Sequence, residues 1–245
     1  TGEYEFDPGE DFQYLADEET ISVTFTYQVE DQNQNLSDPA TVTITVTGEN
    51  DEAFPQDHTL ESPVYEDGAP VSGQVPEVVD ADDGDIYTYI EVQLPTTENG
   101  DVEGSVTWIL DGDGEYTGEY EFDPGEDFQY LKQGETISVT FTYQVEDQNQ
   151  NLSDPATVTL TVFGENDEPT ASPHTLLQVV LEDGDPVTGQ VPAVIDADDG
   201  DTYIYSTVQP PTTENDDVEG SVTWLLDGEG GYTGEYEFDP GEDFQ

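Results

Sequence analysis

One stretch of sequence occurs three times at a constant interval, and this repetition limits what the chain can fold into. Residues 1–13 recur at Thr117–Gln129 and again at Thr233–Gln245, which is an offset of 116 positions each time. Self-similarity at a fixed period is typical of proteins built from repeated structural units. The sequence therefore predicts a tandem array with a repeat of 116 residues.

A five-residue acidic segment that occurs twice marks where one repeat ends and the next begins. Gly48–Glu52 and Gly164–Glu168 each follow a run rich in Thr and Val, and Pro169 follows the second copy. Gly and Asn favour turns and Pro cannot continue a strand ladder, so a sheet should not extend through either segment. We predict three parts: the C-terminal part of one repeat at 1–51, a complete repeat at 52–167, and the N-terminal part of a following repeat at 168–245.

The complete repeat has the pattern of an all-β fold. Apolar and polar residues alternate, or nearly so, in 86–93, 104–110, 116–122, 136–145 and 156–162, with shorter candidates near 58–60 and 71–75. Turn residues separate these segments, and no window has a helical period. About seven short antiparallel strands predict tandem immunoglobulin-like Greek-key β-sandwiches. We expect a core built on Trp108, Leu110, Tyr116, Phe122, Phe141 and Tyr143.

Charge excludes several classes of partner. The chain has 60 Asp and Glu residues against a single Lys, for a formal net charge of −59. Nucleic acids and anionic membrane surfaces are polyanions, so neither is expected to bind. No apolar run is long enough to insert in a membrane, and the absence of Cys excludes disulfides and thiolate metal sites. Self-repulsion on this scale opposes a compact fold unless cations or salt neutralise it.

The carboxylates are clustered, and clustered carboxylates are what calcium requires. Besides the two boundary segments, acidic groups recur at Glu66–Gly68 and Glu182–Gly184, at Asp80–Asp85 and Asp196–Asp201, and at Asp123–Asp127. Calcium takes about six to eight oxygen ligands from carboxylates, amides and carbonyls. We predict calcium ions at the boundaries between repeats.

Several of these segments resemble parts of a cadherin repeat. Tyr143–Asp147, Leu152–Val162 and Glu165–Pro169 look like its last two strands and linker. Asp80-Ala-Asp82 looks like the aspartate pair after the second strand, and Glu66 like the glutamate of the first strand. Asp123-Pro-Gly-Glu126 takes the place of a further acidic motif, with a different spacing. The likeness is greatest to the cadherin-like repeats of large bacterial calcium-dependent adhesins secreted by type I systems (RTX adhesins).

The resemblance implies two calcium joints with named ligands. The first joint would use Glu49, Asn50, Asp51, Asp80 and Asp82. The second would use Glu66, Glu126, Glu165, Asn166, Asp167, Asp196 and Asp198. Because the second joint includes an upstream glutamate, we expect it to bind calcium more tightly.

Some acidic and histidine residues have simpler explanations. The clusters would also suit solvated turns in a protein adapted to a salty medium. Asp111-Gly-Asp-Gly114 resembles a calcium loop, but a two-residue hairpin turn explains it as well. His58 and His174 occupy matching positions, where a packing or surface role is expected rather than a zinc site. Paired carboxylates alone do not indicate a glycosidase, and we expect no catalytic activity.

These observations predict a non-catalytic, extracellular extender that calcium makes rigid. Its partners would be calcium ions and the neighbouring repeats of the same protein. Two alternatives remain. One is a surface or matrix filament, formed when 168–245 of one molecule pairs head to tail with 1–51 of another. The other is a ligand-binding adhesin module.

Overall fold

The chain is all-β. The computed structural model describes residues 2–182, 184–214 and 217–241, and in these ranges it has thirteen strands and no helix. The chain divides into two compact units. The first contains the residues up to Phe128 together with Thr136–Phe163, and the second contains Gln129–Glu135 and the residues from Gly164 onward. The repeat boundaries at 51/52 and 167/168 stay predictions.

The first 51 residues contribute one hairpin to the first unit. Strand β1 (Thr20–Tyr27) pairs antiparallel with β2 (Ala40–Thr47), and together they form a separate two-stranded sheet. Most residues of both strands are the β-branched Thr, Val and Ile, which are enriched in β-strands.

Residues 52–167, the predicted complete repeat, contain two sheets. Its strands are β3 (His58–Thr59), β4 (Val64–Tyr65), β5 (Val71–Gln74), β6 (Thr88–Thr97), β7 (Ser105–Leu110), β8 (Tyr116–Asp123), β9 (Thr136–Glu146) and β10 (Ala156–Phe163). One sheet has the order β3-β10-β9-β6, with β4 also pairing with β10, and the other has the order β5-β8-β7. The predicted alternation is confirmed most clearly on β9 and β10, where every second residue is buried.

Aromatic side chains join the two sheets into a sandwich. The Trp108 ring on β7 lies 5.3 Å, centroid to centroid, from Tyr143 on β9 and 5.0 Å from Tyr89 on β6. Tyr120 on β8 meets Phe141 on β9 edge to face at 5.4 Å. Tyr120, Phe122, Phe141 and Tyr143 are fully buried. These contacts confirm the predicted sandwich.

Two details of the prediction are wrong. Leu110 is 47% exposed and not part of the core, because the register shifts between Trp108 and Leu110 and turns the strand end outward. Strands β3 and β4 run parallel, not antiparallel, to β10. Alternation along a strand gives no information about the direction of its partner, so only the long-range topology decides this pairing.

The second unit contains one three-stranded sheet. Strands β11 (Val187–Gln190), β12 (Ser221–Leu226) and β13 (Tyr232–Asp239) have the order β11-β13-β12, which reproduces β5-β8-β7. Residues 204–213 align with β6 but form no strand. Strand β6 pairs along its length with β9, and residues 168–245 contain no counterpart of β9.

Candidate metal centre

A close backbone approach places the first acidic linker. The amide of Gly48 donates to the carbonyl of Glu19 at 2.8 Å. A Cβ at Gly48 would lie 2.3 Å from the carbonyl oxygen of Leu15, so only glycine fits there. The carbonyl of Tyr14 in turn accepts the amide of Asp83 at 3.1 Å. The loop before β1 therefore contacts both the linker and the acidic segment Asp80–Asp85.

Three aspartates predicted as ligands of the first joint are linked by hydrogen bonds from backbone amides to carboxylates. The backbone amide of Asp51 donates to Oδ2 of Asp82 at 2.8 Å. The amide of Asp82 donates to Oδ1 of Asp80 at 3.1 Å, and the hydroxyl of Tyr87 donates to Oδ2 of Asp80 at 2.8 Å. These hydrogen bonds join the linker to the loop within the first unit.

Asp82 is the most unusual member of this group. Its side chain is only 6% exposed, and its Oδ1 has no hydrogen-bond partner among the described residues. Burial raises the pKa of Asp82, and the nearby charges of Asp80, Asp51 and Asp147 raise it further. A buried carboxylate of this kind must take up a proton or a cation.

Asp147 belongs to the same centre, although the sequence did not single it out as a ligand. Its carboxylate accepts the backbone amides of Asn149 and Asn151, both at 2.8 Å. Burial favours a raised pKa for Asp147, but hydrogen bonds from Asn151, Asn50 and Asn149 outweigh it and hold the pKa below its ordinary value. The Asn149 side chain donates to Oδ1 of Asn50 at 2.7 Å, which ties the β9–β10 turn to the linker.

Asp85 is a second residue that the ligand set omitted. Its Oδ1 accepts the side chain of Gln148, while its Oδ2 is buried without a partner among the described residues. Burial raises its pKa, and Asp80 and Asp82 add to the effect. The acidic run Asp80–Asp85 contained this information, because Asp85 is its last carboxylate.

The second unit repeats the arrangement. The amide of Asp167 donates to Oδ2 of Asp198 at 3.0 Å, and the amide of Asp198 donates to Oδ1 of Asp196 at 3.2 Å. Asp198 is 4% exposed, and its Oδ1 has no hydrogen-bond partner in the described part of the chain. Oxygens of Asp196, Asp198 and Asp201 lie within 4.8 Å of one another. The same buried acidic group is therefore present twice in one chain.

The remaining predicted ligands differ in how exposed they are. Glu126 is exposed in the turn after β8, where its neighbour Asp127 accepts the amide of Gly104 at 2.8 Å. Glu66 is almost fully buried at 1% exposure, directly after β4. Glu49 and Glu165 are exposed. The side chain of Asn166, like that of Asn50, donates to the carbonyl of the following residue.

Two of the weaker candidates have structural roles. Oδ1 of Asp111 accepts the amides of Asp113 and Glu115 at 2.8 and 3.0 Å, as in an Asx turn. These bonds lower the pKa of Asp111. The ring of His58 packs edge to face on Tyr120, with 6.1 Å between the ring centroids, which is the expected packing role. Burial lowers the pKa of His58.

The donor set fits a hard divalent cation. Each centre offers several carboxylate oxygens, and the first adds the side-chain amide of Asn50; calcium prefers these ligands. An open depression of about 280 Å³ lies beside Asn50, Asp51 and Asp147. In each centre at least one buried carboxylate oxygen, Oδ1 of Asp82 or of Asp198, has no hydrogen-bond partner among the described residues and could coordinate such an ion.

Comparisons with known proteins give structural neighbours only. No protein-family model and no curated protein matches the chain. Similar solved structures include the extracellular cadherin domains 1–4 of protocadherin gamma B7 (18% identity, TM-score 0.41, 90% of this chain and 48% of that chain). PcdhgB3 EC1–4 is 15% identical (TM-score 0.38, 95% and 52%), and Drosophila N-cadherin EC1–4 is 13% identical (TM-score 0.34, 96% and 53%). The chain spans about half the length of these structures. Among the described residues, no helix is long and apolar enough to cross a membrane.

Proposed function

We propose that the two acidic centres bind calcium and that the chain is a calcium-rigidified extender of an extracellular, non-catalytic adhesion protein. One observation carries this proposal. Asp82 and Asp198, at matching positions of the sequence repeat, each bury a carboxylate oxygen that has no hydrogen-bond partner within the described parts of the chain. Burying such a group is costly without a cation, and a solvated acidic turn would not require it.

In the first centre, some residues would supply negative charge to the ion and others would position the linker. Asp80, Asp82 and Asp51 supply negative charge, and their mutual hydrogen bonds hold the linker amide against the loop. Asp147 and Asn50 connect the β9–β10 turn to the same linker. A bound calcium ion would supply the positive charge that lets these oxygens converge without repulsion.

The second centre is proposed to work in the same way. Asp167, Asp196 and Asp198 correspond to the first centre's residues, and Asp201 corresponds to Asp85. Glu49, Glu66, Glu126, Glu165 and Asn166 stay predicted ligands.

The proposed mechanism of stiffening is electrostatic. Without an ion, each linker brings carboxylates next to a buried acidic group, and their repulsion favours separation. With an ion, linker and loop share one centre, so the linker loses its freedom to bend. Extracellular modules bind calcium with dissociation constants of about 10⁻⁴–10⁻³ M. With such an affinity the chain would be flexible in the cytosol and rigid outside the cell. A bacterial surface adhesin is the setting that the sequence resemblance favours.

Calorimetry combined with small-angle X-ray scattering tests the proposal. We expect calcium to bind with measurable heat, magnesium to bind much more weakly, and EDTA to shorten the maximum dimension of the chain. The control variant is Asp113→Asn, in the exposed turn between β7 and β8, which should bind calcium like the parent. Absence of calcium binding, or an unchanged dimension in EDTA, would count against an extender.

A second candidate function rests on a different observation, the open sheet at 1–51. Phe25, Tyr27 and Val29 are 39%, 48% and 60% exposed. Their counterparts in the complete repeat, Phe141, Tyr143 and Val145, are fully buried. The sequences are identical in these segments, so the difference lies in what covers them. In the complete repeat the cover includes β6 and the β5-β8-β7 sheet.

A close equivalent of this cover is present elsewhere in the same chain. Residues 168–245 contain a β11-β13-β12 sheet that reproduces β5-β8-β7, and a segment at 204–213 that aligns with β6. We propose that this part of a second copy completes the hairpin of the first copy, which would build head-to-tail filaments. The packing inside the complete repeat is the template for this contact.

Light scattering at increasing concentration tests the filament. We expect the mass to rise above that of one chain for the parent and to stay monomeric for Phe25→Asp. The control is Thr24→Asp on the opposite face of β1, which should still assemble. A parent that stays monomeric at every concentration would refute this candidate and leave the extender untouched.

A further inference from the structure

The only Lys or Arg side chain of the protein contacts the second acidic centre. Lys132 is the single Lys or Arg among 245 residues. Its Nζ lies 3.0 Å from Oδ1 of Asp201, and both side chains are about one-third exposed, at 33% and 29%. Asp201 belongs to the group whose oxygens, with those of Asp196 and Asp198, lie within 4.8 Å of one another. A cation of the chain itself is therefore placed where we propose that calcium binds.

The first centre has the same backbone but lacks this cation. Position 16 corresponds to position 132, and it is occupied by Ala16. The loop contacts match closely. The backbone carbonyl of Tyr14 accepts the amide of Asp83 at 3.1 Å, and that of Tyr130 accepts the amide of Asp199 at 3.2 Å. Asp85, the counterpart of Asp201, keeps a buried Oδ2 without a partner among the described residues. The two centres thus differ in the side chain that the loop presents.

The sequence difference is concentrated in this loop. Residues 1–51 differ from 117–167 at five positions, and three of them are Ala16-Asp17-Glu18 against Lys132-Gln133-Gly134. The three side chains carry two negative charges in the first copy and one positive charge in the second. In copies that are otherwise almost identical, the charge next to the acidic centre is what changes.

Lys132 neutralises only part of the second centre. Its ion pair is with Asp201, whereas Asp198 is 4% exposed and its Oδ1 has no hydrogen-bond partner among the described residues. The centre therefore still has an unmet requirement for positive charge after the lysine is counted. A divalent ion that binds there must tolerate an ammonium group close by and must compete with it for Asp201.

We propose that Lys132 is a built-in counter-ion that lowers the calcium affinity of the second centre and partly holds that centre together when calcium is absent. The inference rests on the proposed calcium function. Counting ligands alone predicts tighter binding at the second joint, and Lys132 acts in the opposite direction. Like charges repel and the lysine occupies a carboxylate oxygen, so both effects reduce affinity. The first centre, with Ala16, depends on calcium alone.

The test compares four versions of the full chain by calcium calorimetry in about 0.1 M NaCl, at which charges about 10 Å apart still interact. Lys132→Ala removes the positive charge and gives position 132 the residue found at position 16, and we expect one class of calcium sites to bind roughly three- to tenfold more tightly. Ala16→Lys should weaken one class by a similar factor. Lys132→Arg keeps the charge and is the matched control, with affinity close to the parent.

A second measurement separates a counter-ion from a merely structural lysine. In EDTA, Lys132→Ala should lower the melting temperature, whereas in saturating calcium it should not. A parent that binds no calcium would overturn the calcium function and this inference together. A parent that binds calcium with unchanged affinity in Lys132→Ala, or with weaker affinity, would overturn this inference alone.

Discussion

At the scale of single residues, we expect Asp82 to have a large effect on calcium binding at the first centre. Its charge is buried among other carboxylates, which is unfavourable without a cation. In Asp82→Asn that charge is gone, while a side-chain oxygen remains to accept the amide of Asp51. We expect calcium affinity at the first centre to fall by about tenfold or more, which corresponds to about 1.4 kcal/mol.

The same variant should behave differently without calcium. In EDTA, Asp82→Asn should melt at a higher temperature than the parent, because the cost of burying the charge is removed. Calorimetry in calcium and thermal melting in EDTA measure the two effects, with Asp113→Asn as control. A variant that loses stability in EDTA and keeps its calcium affinity would contradict the assigned role.

The pKa shifts predict how stability depends on pH in the absence of calcium. Burial raises the pKa values of Asp82, Asp85 and Glu91 above those of the unfolded chain. The folded state therefore binds protons more readily, and its stability increases as the pH falls from neutral toward the ordinary carboxyl pKa of 3.8. Asp147 has a lowered pKa, so its contribution is lost only at still lower pH.

Melting in EDTA across this pH range should show a rise in melting temperature toward acid pH. In saturating calcium the rise should be smaller, because protons must then displace the ion. A melting temperature that falls steadily from neutral pH downward in EDTA would argue against buried, unneutralised carboxylates.

Residue-level prediction from sequence was possible where the proposed ligands are close together in the chain. Asp80 and Asp82 are near neighbours, and the linker segment is compact, so both could be recognised as motifs. Asp147 was missed because only folding brings its turn to the linker; Asn149 and Asn50 are 99 positions apart. Lys132 gave no sequence pattern at all, since a lone lysine becomes meaningful only beside Asp201.

At the scale of elements, the linker's position depends on a glycine. In Gly48→Ala the new Cβ would lie 2.3 Å from the Leu15 carbonyl oxygen, and backbone on one side must move. We expect a loss of about 1–3 kcal/mol in the free energy of unfolding and weaker calcium binding at the first centre. Gly112→Ala is the control, because a Cβ there meets nothing within 4 Å. Urea unfolding that gave equal stabilities would show that the close approach is unimportant.

Strand prediction worked where a strand carries its own pattern. The alternation of β9 and β10 is visible in sequence because one face is buried. Strand β6 has a counterpart at 204–213 that forms no strand, since an extended segment needs a partner to complete its hydrogen bonds. The parallel pairing of β3 and β4 with β10 likewise depends on distant chain, and local sequence cannot reveal it.

At the scale of the whole molecule, the net charge of −59 has two possible explanations, adaptation to a salty medium and specific ion-binding centres. A protein adapted to salt needs only general screening, so NaCl of about 1 M, with a screening length of about 3 Å, would stabilise it fully. A protein with ion-binding centres responds to millimolar calcium well beyond the effect of equal ionic strength. We expect calcium to raise the melting temperature more than NaCl or magnesium at matched ionic strength. Equal responses to all three would favour simple screening.

Crystallography in the presence of calcium would show whether the buried acidic groups at repeated positions hold the ion. We expect anomalous density at both centres, with one ion about 2.3–2.6 Å from Oδ1 of Asp82 and another at the same distance from Oδ1 of Asp198. If neither centre contained an ion in crystals grown with saturating calcium, the proposed calcium binding would be wrong.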